Sequence, residues 1–307
     1  MTLRLDGFID LPGHAPGGGF DHAAVHQGLR RLYVAHTSND AVDVVDLDTA
    51  TYTGSVGNLG GVAGALVDEA SGMVFTSNRA EDTVGMFPAA SPELLGKVPV
   101  GVRPNGLSFD PVRRTLIAAN VGDPARPESH TLTVVDARTA TVVGAIRVAG
   151  RTRWTVFDPV ADAFFVNIAD PATIAVVPAS NPTEVSRSIA VPAAGPHGLD
   201  VDETGRLYCA CDAGRLVILE PPDYRVVSDI ELAGGPDVIF LDRALRQLFV
   251  AIGDPGVLQV IDVDARRTLE VVPTEPGAHT IALDGDRHRI YAFLPESHRA
   301  AVFAASA

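Results

Sequence analysis

The chain has 307 residues, of which 46% are apolar and 20% charged, and these proportions exclude a disordered, collagen-like or coiled-coil protein. The 29 glycines and 22 prolines favour many short strands joined by turns over long helices. With 24 basic and 38 acidic residues the net charge is −14, which argues against nucleic acid as a general partner.

The N-terminal segment contains no basic region followed by an apolar stretch, and no later apolar run is long enough to cross a bilayer. We therefore predict a soluble protein without a membrane partner. It is expected to be cytoplasmic as the sequence stands, or periplasmic or secreted if a leader has been removed. Residues 2–11 predict a strand that precedes the repeats described next.

Three sequence markers recur after that strand. The first is an inner strand that ends in Asp, as in residues 105–110 and 197–202. The second closes the following strand, for example at Asn78 and Asn120. The third closes another strand, and its seven occurrences are spaced by 42, 48, 42, 42, 42 and 42 residues. Seven copies with alternating apolar stretches between Gly, Pro and Asp turns predict four-stranded blades.

The repeats predict an all-β fold, a seven-bladed β-propeller with four-stranded antiparallel blades that forms one domain over residues 1–307. The seventh copy holds only three strands, so we expect the N-terminal strand to complete the last blade and close the ring. Cys209 and Cys211 lie two residues apart on one strand, a poor geometry for a mutual disulfide. They are expected to be reduced and half-buried.

Second strands that read LYVAH, VFTSN and LIAAN, followed by third strands such as DVVDLDTAT and TVVDARTAT, resemble the YVTN-repeat, lactonase-like propellers. The resemblance covers essentially the whole chain. It implies the propeller fold and hydrolysis or elimination on a lactone-like or other oxygenated substrate, although such propellers also include binding proteins and surface-layer components. The second marker departs from the family's usual Asn at several copies, including His36 and Cys211. A GxSxG motif is absent, which weighs against serine-hydrolase chemistry.

The face on which the inner strands begin, here called the top, is the expected place for a site. Seven of the nine histidines map to the top, and the six extra residues of the third copy enlarge a top loop, residues 121–130. The residues that lead the inner strands are expected to ring the top mouth of the central channel. They are His22, Ala63, Asn105, Arg153, His197, Asp237 and His279.

Four of these residues come from adjacent blades and would suit a divalent transition metal as cofactor. The predicted ligands are His22, His197, His279 and Asp237. Each histidine alone could instead bond only the backbone of a neighbouring blade. Without a metal, one histidine would act as general base while Asp237 fixes its tautomer.

The sequence thus predicts an enzyme of the hydrolase or lyase type that acts on a small-molecule substrate, with a metal-binding site at the top mouth. The catalytic candidates are His22, His197, His279 and Arg153. The substrate-binding candidates are Asn105, Arg153, Trp154 and His130, although Trp154 could instead pack between blades. The alternative is a non-catalytic propeller that binds a protein, peptide or metal through the same face.

Overall fold

The computed structural model describes residues 2–306, which form seven sheets of four antiparallel strands. Blade 1 contains β2 (Ala23–His26), β3 (Arg31–His36), β4 (Ala41–Asp46) and β5 (Thr51–Val56). Blade 2 contains β6 (Val62–Asp68), β7 (Met73–Asn78), β8 (Thr83–Pro88) and β9 (Gly96–Pro99). Blade 3 contains β10 (Pro104–Asp110), β11 (Thr115–Asn120), β12 (Thr131–Asp136) and β13 (Thr141–Arg147). Blade 4 contains β14 (Thr152–Asp158), β15 (Ala163–Ile168), β16 (Thr173–Pro178) and β17 (Arg187–Ala190).

The remaining blades follow the same order from the inner to the outer strand. Blade 5 contains β18 (Pro196–Val201), β19 (Leu207–Cys211), β20 (Arg215–Glu220) and β21 (Arg225–Glu231). Blade 6 contains β22 (Pro236–Asp242), β23 (Gln247–Ile252), β24 (Val257–Asp262) and β25 (Arg267–Pro273). Blade 7 contains β26 (Ile281–Asp284), β27 (Arg289–Leu294), β28 (Arg299–Ala305) and, outermost, β1 (Leu3–Asp10). The predicted all-β, seven-bladed propeller is confirmed.

The ring closes through β1, as predicted. This strand pairs antiparallel with β28, from Leu3 opposite Ala305 to Asp10 opposite Arg299, and Arg299 Nε donates to Asp10 Oδ1 at 2.9 Å. The helical segments within residues 2–306 are two single turns, Thr37–Asn39 and Pro127–Ser129. Neither approaches the length that a membrane-crossing helix needs.

Burial falls from the channel outwards because both faces of an inner strand are covered by neighbouring blades. All seven residues of β10 are buried, whereas most of β13 is exposed. Cys209 and Cys211 in β19 are fully buried, not half-buried as expected, because their side chains pack against blade 4 while blade 6 covers the other face of the strand. Their sulfur atoms lie 3.9 Å apart and are reduced, and burial raises the pKa of the Cys209 thiol.

Two glycines explain how neighbouring inner strands approach at the top. A Cβ on Gly106 would lie 2.5 Å from the carbonyl oxygen of Arg153, and one on Gly198 would lie 2.4 Å from that of Asp237. No side chain fits at these distances, so each glycine lets the leading residue of the next blade sit directly against its strand. The dipeptides Asn105-Gly106 and His197-Gly198 therefore set where Arg153 and Asp237 lie.

The Asp residues that end the inner strands link blades at the opposite face. Asp284 of blade 7 accepts two hydrogen bonds from the guanidinium of Arg30 in blade 1, at 3.1 and 2.7 Å. Asp242 of blade 6 similarly lies 2.6 Å from His288 Nδ1 of blade 7. Both acceptors are almost fully buried, so the repeated Asp acts as an inter-blade link as well as a turn residue.

Candidate functional site

A charged cluster lies at the top mouth where blades 4, 5 and 6 meet. His197 Nδ1 donates to Asp212 Oδ1 at 2.7 Å, and its Nε2 lies 3.1 Å from Asp237 Oδ1. The guanidinium of Arg153 lies 3.2 Å from both His197 Nε2 and Asp212 Oδ2. His197 and Asp237 are leading residues of adjacent strands, whereas Asp212 follows β19 directly. The structure therefore brings two of the predicted metal ligands and one predicted substrate contact together.

The two carboxylates determine the protonation of His197. Burial alone would lower the pKa of His197, but Asp237 and Asp212 outweigh it and raise this pKa to about 9. Burial likewise opposes ionisation of Asp237, and the charge of His197 reverses the effect, so the pKa of Asp237 falls below its ordinary value. At neutral pH the cluster thus contains an imidazolium ion between two carboxylates, with a guanidinium beside it.

The other two predicted metal ligands have different contacts. His22 is buried and lies against the Trp154 ring, 4.1 Å between centroids, and burial lowers the pKa of its imidazole. His279 Nδ1 donates to Gly277 O at 2.7 Å, which leaves its Nε2 free. Within residues 2–306, no group of three or more His, Cys, Asp and Glu side chains is arranged to hold a metal ion. Both nitrogens of His197 contact carboxylates, so a metal here would have to replace the proton between His197 and Asp237.

Trp154 reaches across the channel just below this cluster. Its ring lies against His22 of blade 1 and 6.1 Å from the Phe240 ring of blade 6. Trp154 and His22 together line one end of a cavity of about 320 Å³, which runs along the inner strands towards Asp200 and Arg243. The tryptophan therefore separates the top mouth from the lower part of the channel.

The remaining two predicted substrate contacts lie apart from His197. Asn105 is buried, and its Oδ1 finds no hydrogen-bond partner in the described part of the chain. His130, in the enlarged loop, lines a separate cavity of about 360 Å³ together with Arg103, Arg151 and Asp170. Its Nδ1 donates to Val121 O at 2.7 Å, so its Nε2 is available to a ligand.

Sequence reasoning missed three arginines that share the top face with Arg153. Arg79 follows β7, and Arg103 and Arg151 lie in the loops that enter blades 3 and 4. Partial burial and the charges of Arg153 and Arg103 lower the pKa of Arg151, which shows that the guanidinium groups are crowded. None of the three stands at a repeated marker of the sequence, so the repeat gave no signal for them.

Three comparisons with known proteins place the fold in context. No family profile matches the chain, and no curated protein sequence matches it. Among solved structures, Kuenenia stuttgartiensis hydrazine synthase is similar with a TM-score of 0.84 and 15% identity, over 96% of this chain and 97% of that one. A chain of the mitotic checkpoint complex is similar with a TM-score of 0.83 and 11% identity, over 99% of this chain and 92% of that one. At such low identities these likenesses show the fold alone, a seven-bladed β-propeller.

Proposed function

We propose that the protein is an enzyme of the hydrolase or lyase type that acts on a small anionic molecule at the top mouth. The observation that carries this proposal is the imidazolium of His197 between Asp212 and Asp237, beside a group of arginines. Titratable groups whose pKa values are pushed apart inside a concave site are the usual arrangement for acid–base catalysis. The resemblance to YVTN-repeat, lactonase-like propellers supports a lactone-like or other oxygenated substrate.

The arginines supply the binding half of the site. Arg103 and Arg151 line their cavity without an ion-pair partner among residues 2–306, and His130 offers Nε2 on the same wall. Guanidinium groups bind carboxylate or phosphate oxygens through paired hydrogen bonds. Arg151 stands two residues from Arg153, and the charges of Arg153 and Asp212 act on it, so an anion bound by Arg151 would lie next to the His197 cluster.

His197 and Asp237 supply the proton-transfer half. The contact between His197 Nε2 and Asp237, at 3.1 Å, is longer than the contact between His197 Nδ1 and Asp212, at 2.7 Å. A substrate oxygen is therefore expected to replace Asp237 at Nε2 while Asp212 keeps the ring oriented. When His197 gives its proton to that oxygen, Asp237 loses the neighbouring positive charge, its pKa rises and it becomes a better base.

A divalent transition metal at His22, His197, His279 and Asp237 is the second form of this proposal. Such a metal would polarise a carbonyl group or activate water. The two forms differ in one measurable respect, because only the second requires a stoichiometric metal. Elemental analysis of the untagged protein, with and without prior chelation, separates them.

The main experiment measures binding and turnover on a panel of carboxylate- and phosphate-bearing lactones and esters. We expect Arg151→Gln to weaken binding of the anionic compounds by roughly tenfold. We expect His197→Gln to abolish turnover while binding persists. Arg225→Gln is the matched control, because this exposed arginine of β21 has Glu220 as its one ion-pair partner among residues 2–306.

If Arg151→Gln binds the anions as well as the unaltered protein does, the proposed binding half is wrong. If anions bind through Arg151 but no compound of the panel is turned over, the non-catalytic alternative replaces the enzyme. In that case the same face binds an acidic ligand or peptide.

A further inference from the structure

The lower channel holds a cavity of about 320 Å³ on the far side of Trp154 from the His197 cluster. Trp154 lines its upper end, and Pro111 and Arg243 line its lower end. These two residues directly follow the inner strands β10 and β22, so they lie on the face opposite the top. About half of the Arg243 side chain is exposed, and the cavity therefore opens towards that opposite face.

The walls of this cavity are mainly apolar. Neighbouring blades cover the inner strands on both faces, yet Leu66, Val156 and Phe240 each keep part of their surface exposed. All three line the cavity, so their exposed surface faces it. Two wall hydroxyls, those of Ser108 and Thr155, hydrogen-bond to each other at 2.9 Å. Apolar walls with a few polar groups, in a volume of this size, are typical of small-molecule sites.

Asp200 of β18 brings a carboxylate to these apolar walls. Its Oδ1 accepts the backbone N–H of Val201 at 2.7 Å, and its Oδ2 accepts that of Leu241 at 2.8 Å. Each oxygen therefore keeps a lone pair for a further donor. Arg243 Nη2 lies 3.7 Å from Oδ1, too far for a hydrogen bond, and donates to Val201 O at 2.6 Å instead.

The charges around the lower end favour a cation. Burial raises the pKa of Asp200, so a positive partner would stabilise its charged form. Asp68 lines the same end and accepts the backbone N–H of Ser71 at 3.0 Å. Two carboxylates thus face the single guanidinium of Arg243 among the lining residues. At the upper end burial lowers the pKa of His22, which leaves that ring neutral and without repulsion for a cation.

We propose that the lower channel binds a small organic ammonium ion whose –NH₃⁺ group donates to Asp200 and whose apolar ring lies between Phe240 and Trp154. A protonated amine supplies the charge-assisted hydrogen bonds that the free lone pairs of Asp200 can accept. The two aromatic side chains, 6.1 Å apart, offer edges and faces to a further ring. A carboxylate ligand would instead meet Asp200 and Asp68, because Arg243 already donates to a backbone carbonyl.

The test titrates the protein with 2-phenylethylammonium and follows binding by calorimetry and by the fluorescence of Trp154. This residue is the only tryptophan and lines the cavity, so its signal reports where the ligand binds. We expect saturable binding in both measurements. The neutral analogue 2-phenylethanol is expected to bind more weakly by roughly tenfold or more, since it lacks the charged donor. The anionic analogue 3-phenylpropanoate is expected to bind more weakly still.

Three variants test the role of Asp200. Asp200→Asn is expected to weaken binding of the ammonium ion by roughly tenfold or more. Asp223→Asn is the matched control, because it removes the same charge from an exposed turn of the same blade outside the cavity. Arg243→Gln is expected to tighten binding severalfold, since it removes the competing cation. Arg243 is half-exposed, so this variant keeps the test decisive if Asp200→Asn does not fold.

Several results would overturn the proposal. They are a lack of saturable ammonium binding, equal affinity for the ammonium ion and the alcohol, unchanged affinity in a folded Asp200→Asn, and weaker ammonium binding by Arg243→Gln. Tighter binding of 3-phenylpropanoate would show that the cavity is an anion site. Turnover at the His197 cluster is measured separately and does not depend on any of these results.

Discussion

His197 Nδ1 and Asp212 Oδ1 lie 2.7 Å apart at the top mouth of the propeller. Asp212 directly follows the second strand of blade 5, and His197 leads the first strand of the same blade. The contact therefore lies within one blade, whereas the contact between His197 and Asp237 crosses to the next. The protonated His197 ring thus joins two blades, and the loss of its proton can be followed as a measure of the whole site.

The first prediction concerns pH and stability. The pKa of His197 is raised from 6.5 to about 9 in the folded protein, so its contribution to stability is complete below pH 6.5 and is lost as pH rises through about 9. The free energy of unfolding should fall by on the order of 3 kcal/mol over that interval, at about 1.4 kcal/mol for each pKa unit. Denaturant titrations across it measure the change. In His197→Gln this part of the pH dependence should vanish; if it persists, another group is responsible.

The second prediction concerns the contact between blades 5 and 6. Gly198→Ala would place a Cβ 2.4 Å from Asp237 O, so Asp237 must move, and the free energy of unfolding should fall by about 1–3 kcal/mol. The pKa of His197 should fall in the same variant. Gly96→Ala is the control because its Cβ would meet nothing within 4 Å. If both variants lost the same free energy of unfolding, the close approach of Gly198 to Asp237 would not contribute to stability.

The third prediction uses the only tryptophan of the chain. Burial lowers the pKa of His22, whose ring lies 4.1 Å from that of Trp154, so His22 is neutral at neutral pH. The fluorescence of Trp154 should drop when His22 becomes charged, at a pH below 6.5, because an imidazolium quenches an adjacent indole. The step should be missing in His22→Gln. A step that survives there would mean that Trp154 senses a different group.

The fourth prediction tests the link between the first and the last blade. Asp284→Asn leaves the guanidinium of Arg30 without its buried carboxylate and should lower the free energy of unfolding by about 2–3 kcal/mol. Asp48→Asn removes an exposed carboxylate 3.4 Å from the same arginine and should cost less than about 1 kcal/mol. Thermal unfolding of both variants checks the difference. A cost of similar size in both would reject the link.

The fold was predictable because each blade repeats the same physical pattern. The spacing of about 42 residues, the Asp that closes six of the seven inner-strand copies and the unmatched strand at residues 2–11 predicted both the blade number and the closure by β1. The inter-blade role of Asp284 was not predictable, because it depends on where Arg30 of a distant blade places its guanidinium.

The site was predictable only as far as the backbone repeat determines position. The residues that lead the inner strands of adjacent blades must converge at the top mouth, and His197 and Asp237 do so. The turn of His22 towards Trp154 and the bond between His279 and Gly277 depend on side-chain conformation, which a repeat does not encode. Asp212 and the arginines Arg79, Arg103 and Arg151 lie in top loops outside the repeated positions, so the pattern contained no marker for them.

The pairing of β1 with β28 has a consequence for synthesis on the ribosome. β1 is made before any blade exists, and its partner follows only after six blades have been translated. Until then its backbone groups have no partner in the ring, and Leu3 and Ile9, which the closed ring buries, remain available to other chains. The nascent protein therefore passes through a long interval in which an unpaired sheet edge must be kept from associating elsewhere, and that interval ends only when the final strand emerges.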